Sequence, residues 1–151
     1  MPMSMNRRHA LTALTLALGL MLPGHSFADE MKKATLYKNP ECSCCAEYAK
    51  LLQQSGLDVQ IVDTFDLPSV KREHGVPTAL EGCHTTVVDG YVIEGHVPVD
   101  IVGRLLREKP AIKGISLPGM PMGSPGMGGE KAAPFTVYEI SDEKDKVYAT
   151  E

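Results

Sequence analysis

The feature that most constrains this chain is a crowd of thiols set where one structural pattern gives way to another. Ala34-Thr35-Leu36-Tyr37 is a short β-prone run that stops at Asn39-Pro40. From about Ser43 to Ser55 the apolar residues recur at helical spacing, with Tyr48, Leu51, Leu52 and Ser55 on one face and Gly56 as the stop. Cys42, Cys44 and Cys45 fall in the joint. A thiol at a helix N-terminus faces oriented backbone dipoles that favour thiolate over thiol, so its position makes Cys42 a nucleophile or a metal ligand.

The remaining pattern supplies a sheet for this strand-to-helix turn. Val59, Ile61 and Val62 form a second strand, and Asp66 caps a brief helix that has Pro68 near its first turn and ends at Gly75, after His74. Thr85 to Val88 and Tyr91 to Glu94 flank Asp89-Gly90, a pair suited to the positive φ angles of a two-residue hairpin turn. Pro98 opens a helix with Ile101, Val102, Leu105 and Leu106 on one face, Arg104 and Glu108 four apart, and Pro110 as terminator. The order βαβ(α)ββα combines a parallel crossover with an antiparallel pair and predicts an α/β, thioredoxin-like domain. Leu117 to Gly129 is interrupted throughout by Pro and Gly and reads as a loop that a ligand can order. Phe135 to Ile140 adds an edge strand, followed by a charged turn and a short Val147-Tyr148 end.

A chain of 151 residues, 43% hydrophobic and 23% charged, has the balance of one globular domain. Its net charge of -4, with no run of Lys or Arg longer than two, offers no basic face for phosphates and argues against nucleic acid as a partner. Arg7 and Arg8 precede an apolar run from Ala10 to Leu22, then Pro23 and a Ser26-Phe27-Ala28 ending, the three parts of a cleaved secretory signal over residues 1–28. The run is short for a membrane span, and the Arg pair leaves the export route open between the general and twin-arginine pathways. Residues 29–151 then form the mature domain, with 13 basic against 19 acidic residues, a charge of -6. Exported thiols meet an oxidising compartment, where they pair unless a metal or reductant holds them.

Cys42 and Cys45 have the C-x-x-C spacing, so dithiol exchange, metal binding and a structural disulfide all begin as readings. Cys44 weighs against simple dithiol exchange, because a third thiol competes for the mixed disulfide. Cys83, followed by His84, lies just ahead of the hairpin and can return to the helix start. Pro77 is the candidate for the cis-proline that faces a C-x-x-C site in thioredoxin-like folds; otherwise it serves as a turn. Adjacent Cys44 and Cys45 cannot easily aim at one tetrahedral zinc, and the crowded spacing is not a usual iron-sulfur arrangement. Divergent thiolates suit bridging of Cu(I), and four thiolates balance up to four such ions. Met120, Met122 and Met127 supply soft thioethers in the loop, unless they fill gaps, and His84 is a further possible ligand. His96 is a weaker candidate, and His74 reads as a partner of a helix C-terminus.

Cys42-Ser43-Cys44-Cys45, Gly75-Val76-Pro77, Cys83-His84-Thr85, Glu94-Gly95-His96-Val97-Pro98 and the run from Pro118 to Met127 together resemble the CopG family of bacterial copper-resistance proteins, over about residues 34–140. The resemblance implies a thioredoxin-like periplasmic protein that binds Cu(I) through Cys42, Cys44, Cys45 and Cys83. Two functions follow as expectations. One is a copper-binding protein that lowers free Cu(I) and hands it to an efflux or other envelope copper protein, with the Met residues and His84 as outer ligands or an entry gate. The other is an oxidoreductase, acting by thiol-disulfide exchange at Cys42 and Cys45 or by Cu(I)/Cu(II) electron transfer.

Overall fold

The computed structural model describes residues 31–143 and 146–151, so the expected signal segment lies outside the described residues. Two strands and a helix come first: β1 (Lys33–Lys38), α1 (Ser43–Gln54) and β2 (Asp58–Asp63), with β1 and β2 parallel and paired from Lys33 with Asp58 to Lys38 with Asp63. The short α2 (Leu67–Glu73) follows, its N-terminus capped by the Asp66 carboxylate, which accepts the Ser69 N–H at 3.2 Å. Then come β3 (His84–Val88), β4 (Tyr91–Glu94) and α3 (Val99–Glu108). Asp89 and Gly90 turn the β3–β4 hairpin at φ 51° and 82°, as the Asp-Gly pair predicts.

The chain completes the sheet with β5 (Gly114–Ser116), β6 (Thr136–Ile140) and β7 (Val147–Thr150), giving the strand order β2-β1-β3-β4-β5-β6-β7. This mixed α/β sheet contains the expected βαβ unit, hairpin and following helix. Its far side differs from expectation. The strand read as an edge, β6, lies one position in: β5 stands between it and the hairpin, parallel to β4, and β7 forms the edge. Three residues of β5 are too few to show a period, and the pairing of Ile115 with Ile93 is what makes them a strand.

Both faces of the sheet are covered. On one, Tyr48, Ala49 and Leu52 of α1 and Ile101, Val102, Leu105 and Leu106 of α3 pack on Leu36, Val88, Ile93, Ile115 and Val137. Side chains alternate along a strand, so Val92 and Glu94 face the other way. There Val92 packs with Val76, Ile140 and Leu80, and Lys71 of α2 reaches Glu94. The Arg104–Glu108 pair forms at 3.8 Å, and Arg104 also donates to the Tyr148 carbonyl at 3.0 Å, tying α3 to β7. No helix among the described residues is long and apolar enough to cross a membrane.

Candidate metal centre

The β1–α1 turn is shaped by its own side chains. Asn39 accepts the Glu41 N–H on its side-chain oxygen at 2.9 Å and the Cys42 N–H on its carbonyl at 2.9 Å, which folds the chain back towards the helix. The buried Lys38 ammonium donates to the carbonyls of Asn39 and Pro40 at 2.9 and 3.2 Å and pairs with Asp63 at 3.0 Å. Cys42 is thereby placed as the N-cap of α1, its sulfur accepting the Cys45 N–H at 3.3 Å. A sulfur replaces the usual hydroxyl or carboxylate of an N-cap, and it lies where the helix dipole favours negative charge.

Cys83 arrives from the neighbouring strand. The register sets Lys38, at the end of β1, opposite His84, at the start of β3, so the residue before β3 lies beside the turn after β1. The Cys83 sulfur is 3.5 Å from that of Cys45, and the Cys44 sulfur is 3.4 Å from that of Cys42. The adjacent Cys44 and Cys45 do not diverge as expected: both sulfurs lie beside that of Cys42, and all four sulfurs lie within 4.8 Å of one another. Cys42 and Cys45 are joined as a disulfide, while Cys44 and Cys83 are free thiols. Of the readings open in the sequence, the C-x-x-C pair is thus present in oxidised form, and a four-thiolate site requires two electrons to open it.

Two imidazoles complete the cluster. His84 and His96 are fully buried, and with Cys45 and Cys83 they form a second set of four donors within 4.8 Å. The Pro125 carbonyl stands 2.6 Å from His96 Nδ1, and since a carbonyl only accepts, it fixes the proton on that nitrogen. The Nε2 lone pair is left facing the Cys83 sulfur at 2.8 Å. This is the arrangement of a ligating histidine, whose other nitrogen is held by a backbone carbonyl. His84 has Nδ1 3.5 Å from the same sulfur and no partner at Nε2. Burial holds both imidazoles below their ordinary pKa, His84 well below, so both are neutral at pH 7. Burial, with the Cys44 thiol alongside, pushes the Cys83 thiol up to about 12, against a smaller opposing pull from Lys71. A metal entering here has to displace the Cys83 proton.

The Met-rich loop lies across this centre by its backbone. Gly126, at φ +82°, sits against the first turns of α1, where a Cβ would stand 2.9 Å from the Cys44 carbonyl oxygen. Met127 lines a cleft with Glu47, Leu51 and Gln54 of α1, whereas Met120 and Met122 are exposed. Beneath, three backbone segments cross without room for a side chain. A Cβ on Gly82 would stand 2.6 Å from Gly95 Cα, and one on Gly95 would strike the Leu117 carbonyl. Pro77 is not the cis-proline: no peptide bond among the described residues is cis, and Pro77 leads into the single 3-10 turn Thr78–Leu80. His74 caps the C-terminus of α2 and packs on Tyr37, outside the cluster. His96, the weaker candidate in the sequence, lies 2.8 Å from the Cys83 sulfur, its ring oriented by a hydrogen bond to the distant Pro125 carbonyl.

Soft sulfur and neutral nitrogen donors, gathered at the strand-to-helix turn of an α/β sheet, define a metal-binding or thiol-redox protein. A family model described as "Protein of unknown function, DUF411" matches residues 80–127, which hold Cys83, His84, His96 and the loop through Met127. Two solved structures, named copper resistance protein CopG in form 2 and form 1, are each 34% identical to the chain with a TM-score of 0.74. Both cover 81% of this chain, which in turn covers 99% and 98% of theirs. No curated protein sequence matches. The chain belongs to the CopG family of copper resistance proteins.

Proposed function

We propose that this protein serves copper resistance in the bacterial periplasm, after cleavage of residues 1–28, by holding Cu(I) in a multinuclear cluster of the Cys42, Cys44, Cys45 and Cys83 thiolates. The observation that carries this reading is the convergence of four sulfurs within 4.8 Å. Thiolates select Cu(I), and sulfurs at this spacing can each bridge two ions, so that four negative charges are balanced by up to four Cu(I). Reduction of the Cys42–Cys45 bond is the condition for loading. Exposed Met120 and Met122 then serve as an entry gate, with His84 and His96 as nitrogen donors beside the cluster. An envelope efflux protein is the proposed recipient. The test is an anaerobic Cu(I) titration of the reduced protein against a competing chelator, with copper counted by elemental analysis. A tight plateau well above one ion per chain is expected; a plateau at zero overturns the reading.

The Cys42–Cys45 disulfide favours a second reading, an oxidoreductase. Two thiolates closing to a disulfide release two electrons, enough to reduce two Cu(II) to two Cu(I). If this reading holds, reduced protein mixed anaerobically with Cu(II) yields one disulfide for every two Cu(I) formed. If Cys44→Ser and Cys83→Ser abolish copper binding yet leave disulfide reductase activity intact, the chemistry is that of the dithiol alone.

A further inference from the structure

Glu94 ends β4 with its carboxylate fully buried, and Lys71 of α2 is buried against it on the sheet face opposite α1 and α3. We propose that this pair, together with Thr85, is a positioning device for Cys83, clamping the backbone immediately ahead of that thiol and so setting one sulfur of the copper site from behind the sheet. The inference rests on the copper reading above and assigns it residues outside the donor set.

Beyond the end of the β1–β3 ladder at Lys38 and His84, Gly82 forms an isolated parallel bridge with Gly119, in which Gly119 donates to the Glu81 carbonyl at 2.9 Å, and the Gly82 N–H needs a further hold. Glu94 provides one. Its Oε1 accepts the Gly82 N–H at 2.7 Å together with the Lys71 ammonium, and its Oε2 accepts the Thr85 hydroxyl at 2.7 Å. Lys71 donates to Thr85 Oγ1 as well, at 3.2 Å, which closes the network. A carboxylate suits the task because it accepts from several donors at once, where a hydroxyl would not suffice. The lysine cancels its charge, so the nearby thiolates do not face an unpaired buried anion. Stability alone is a poor reason for the arrangement, since well-packed apolar side chains commonly replace a buried ion pair without loss. An apolar pair would fill this space but could not hold the Gly82 N–H.

That difference supplies the test. Wild-type protein is compared with Lys71→Met/Glu94→Gln, which keeps a side-chain oxygen for Gly82, and with Lys71→Met/Glu94→Leu, which does not. Melting temperature checks the fold. The alkylation rate of Cys83 by iodoacetamide, in reduced copper-free protein and resolved by peptide mass spectrometry, reads the thiol's placement; Cu(I) affinity against a chelator reads the site. The Gln variant is expected to stay close to wild type in both. The Leu variant is expected to melt normally, alkylate faster at Cys83 and bind Cu(I) about tenfold more weakly, the scale of one lost buried hydrogen bond. Equal alkylation rates and copper affinities in the two variants overturn the proposal. Should the Leu variant not fold, hydrogen exchange of the Gly82 amide in wild-type protein decides: protection supports the clamp and free exchange overturns it. Wild-type protein that takes up no copper defeats the copper reading instead, and the alkylation comparison still judges the clamp.

Discussion

At the scale of single residues, the centre works by denying side chains their freedom. Tyr48 shows the principle: its ring packs on both His84 and His96, and its hydroxyl donates to the Val97 carbonyl at 2.7 Å. Burial raises the phenol well above its ordinary pKa, so it remains a donor at any working pH. Tyr48→Phe keeps the ring and leaves the carbonyl unpaired, and is expected to cost about 1 kcal/mol in a urea melt. Cys83 can meet sulfur on one side and imidazole on the other, so Cys83→Ser is expected to remove most bound copper, read by elemental analysis, while circular dichroism stays unchanged. The thiols were legible in the sequence because few roles suit four cysteines, three of them at a helix start. His96 was less so, because its case depends on Pro125, 29 residues away, which no local pattern connects to it.

At the scale of elements, local signals located most of what carries the site. The Asp66 cap, the Asp89-Gly90 turn and the apolar face of α3 stand where short-range chemistry put them. β5 and the true edge escaped, since a three-residue strand is created by its neighbours and not by its own periodicity. Asp66 illustrates an element-level consequence, as α2 is the helix that carries Lys71. Its carboxyl is held below the ordinary pKa by its bonds to Ser69, so its stabilising effect is full above the ordinary carboxylate range and fades as pH falls through the lowered value. Asp66→Ala is therefore expected to lower the melting temperature at pH 7, with the gap to wild type closing in strong acid. The loop offers a different test. Gly126→Ala sets a Cβ against the Cys44 carbonyl at a left-handed φ, so the loop must lift from α1 and take Pro125 away from His96. The His96 imidazole signals in an NMR spectrum are expected to shift while most sheet amides do not.

At the scale of the whole molecule, copper and folding are linked, because the four sulfurs are brought together only when β1, α1 and β3 are in register. Cu(I) added to reduced protein is expected to raise the melting temperature in step with loading, whereas protein kept as the Cys42–Cys45 disulfide should respond far less. A scanning calorimetry series at rising copper ratios checks both arms. The crossing of Gly82, Gly95 and Leu117 beneath the site has a consequence for how little the site can adapt. Where backbones meet with no slack, the main chain beside Cys83 has little room to shift. The Cys83 sulfur keeps its station 3.5 Å from that of Cys45 by the main chain's confinement rather than by its own side-chain contacts alone. A bulkier residue at either glycine therefore has to displace the approach to β3 that carries Cys83, and the donor set with it.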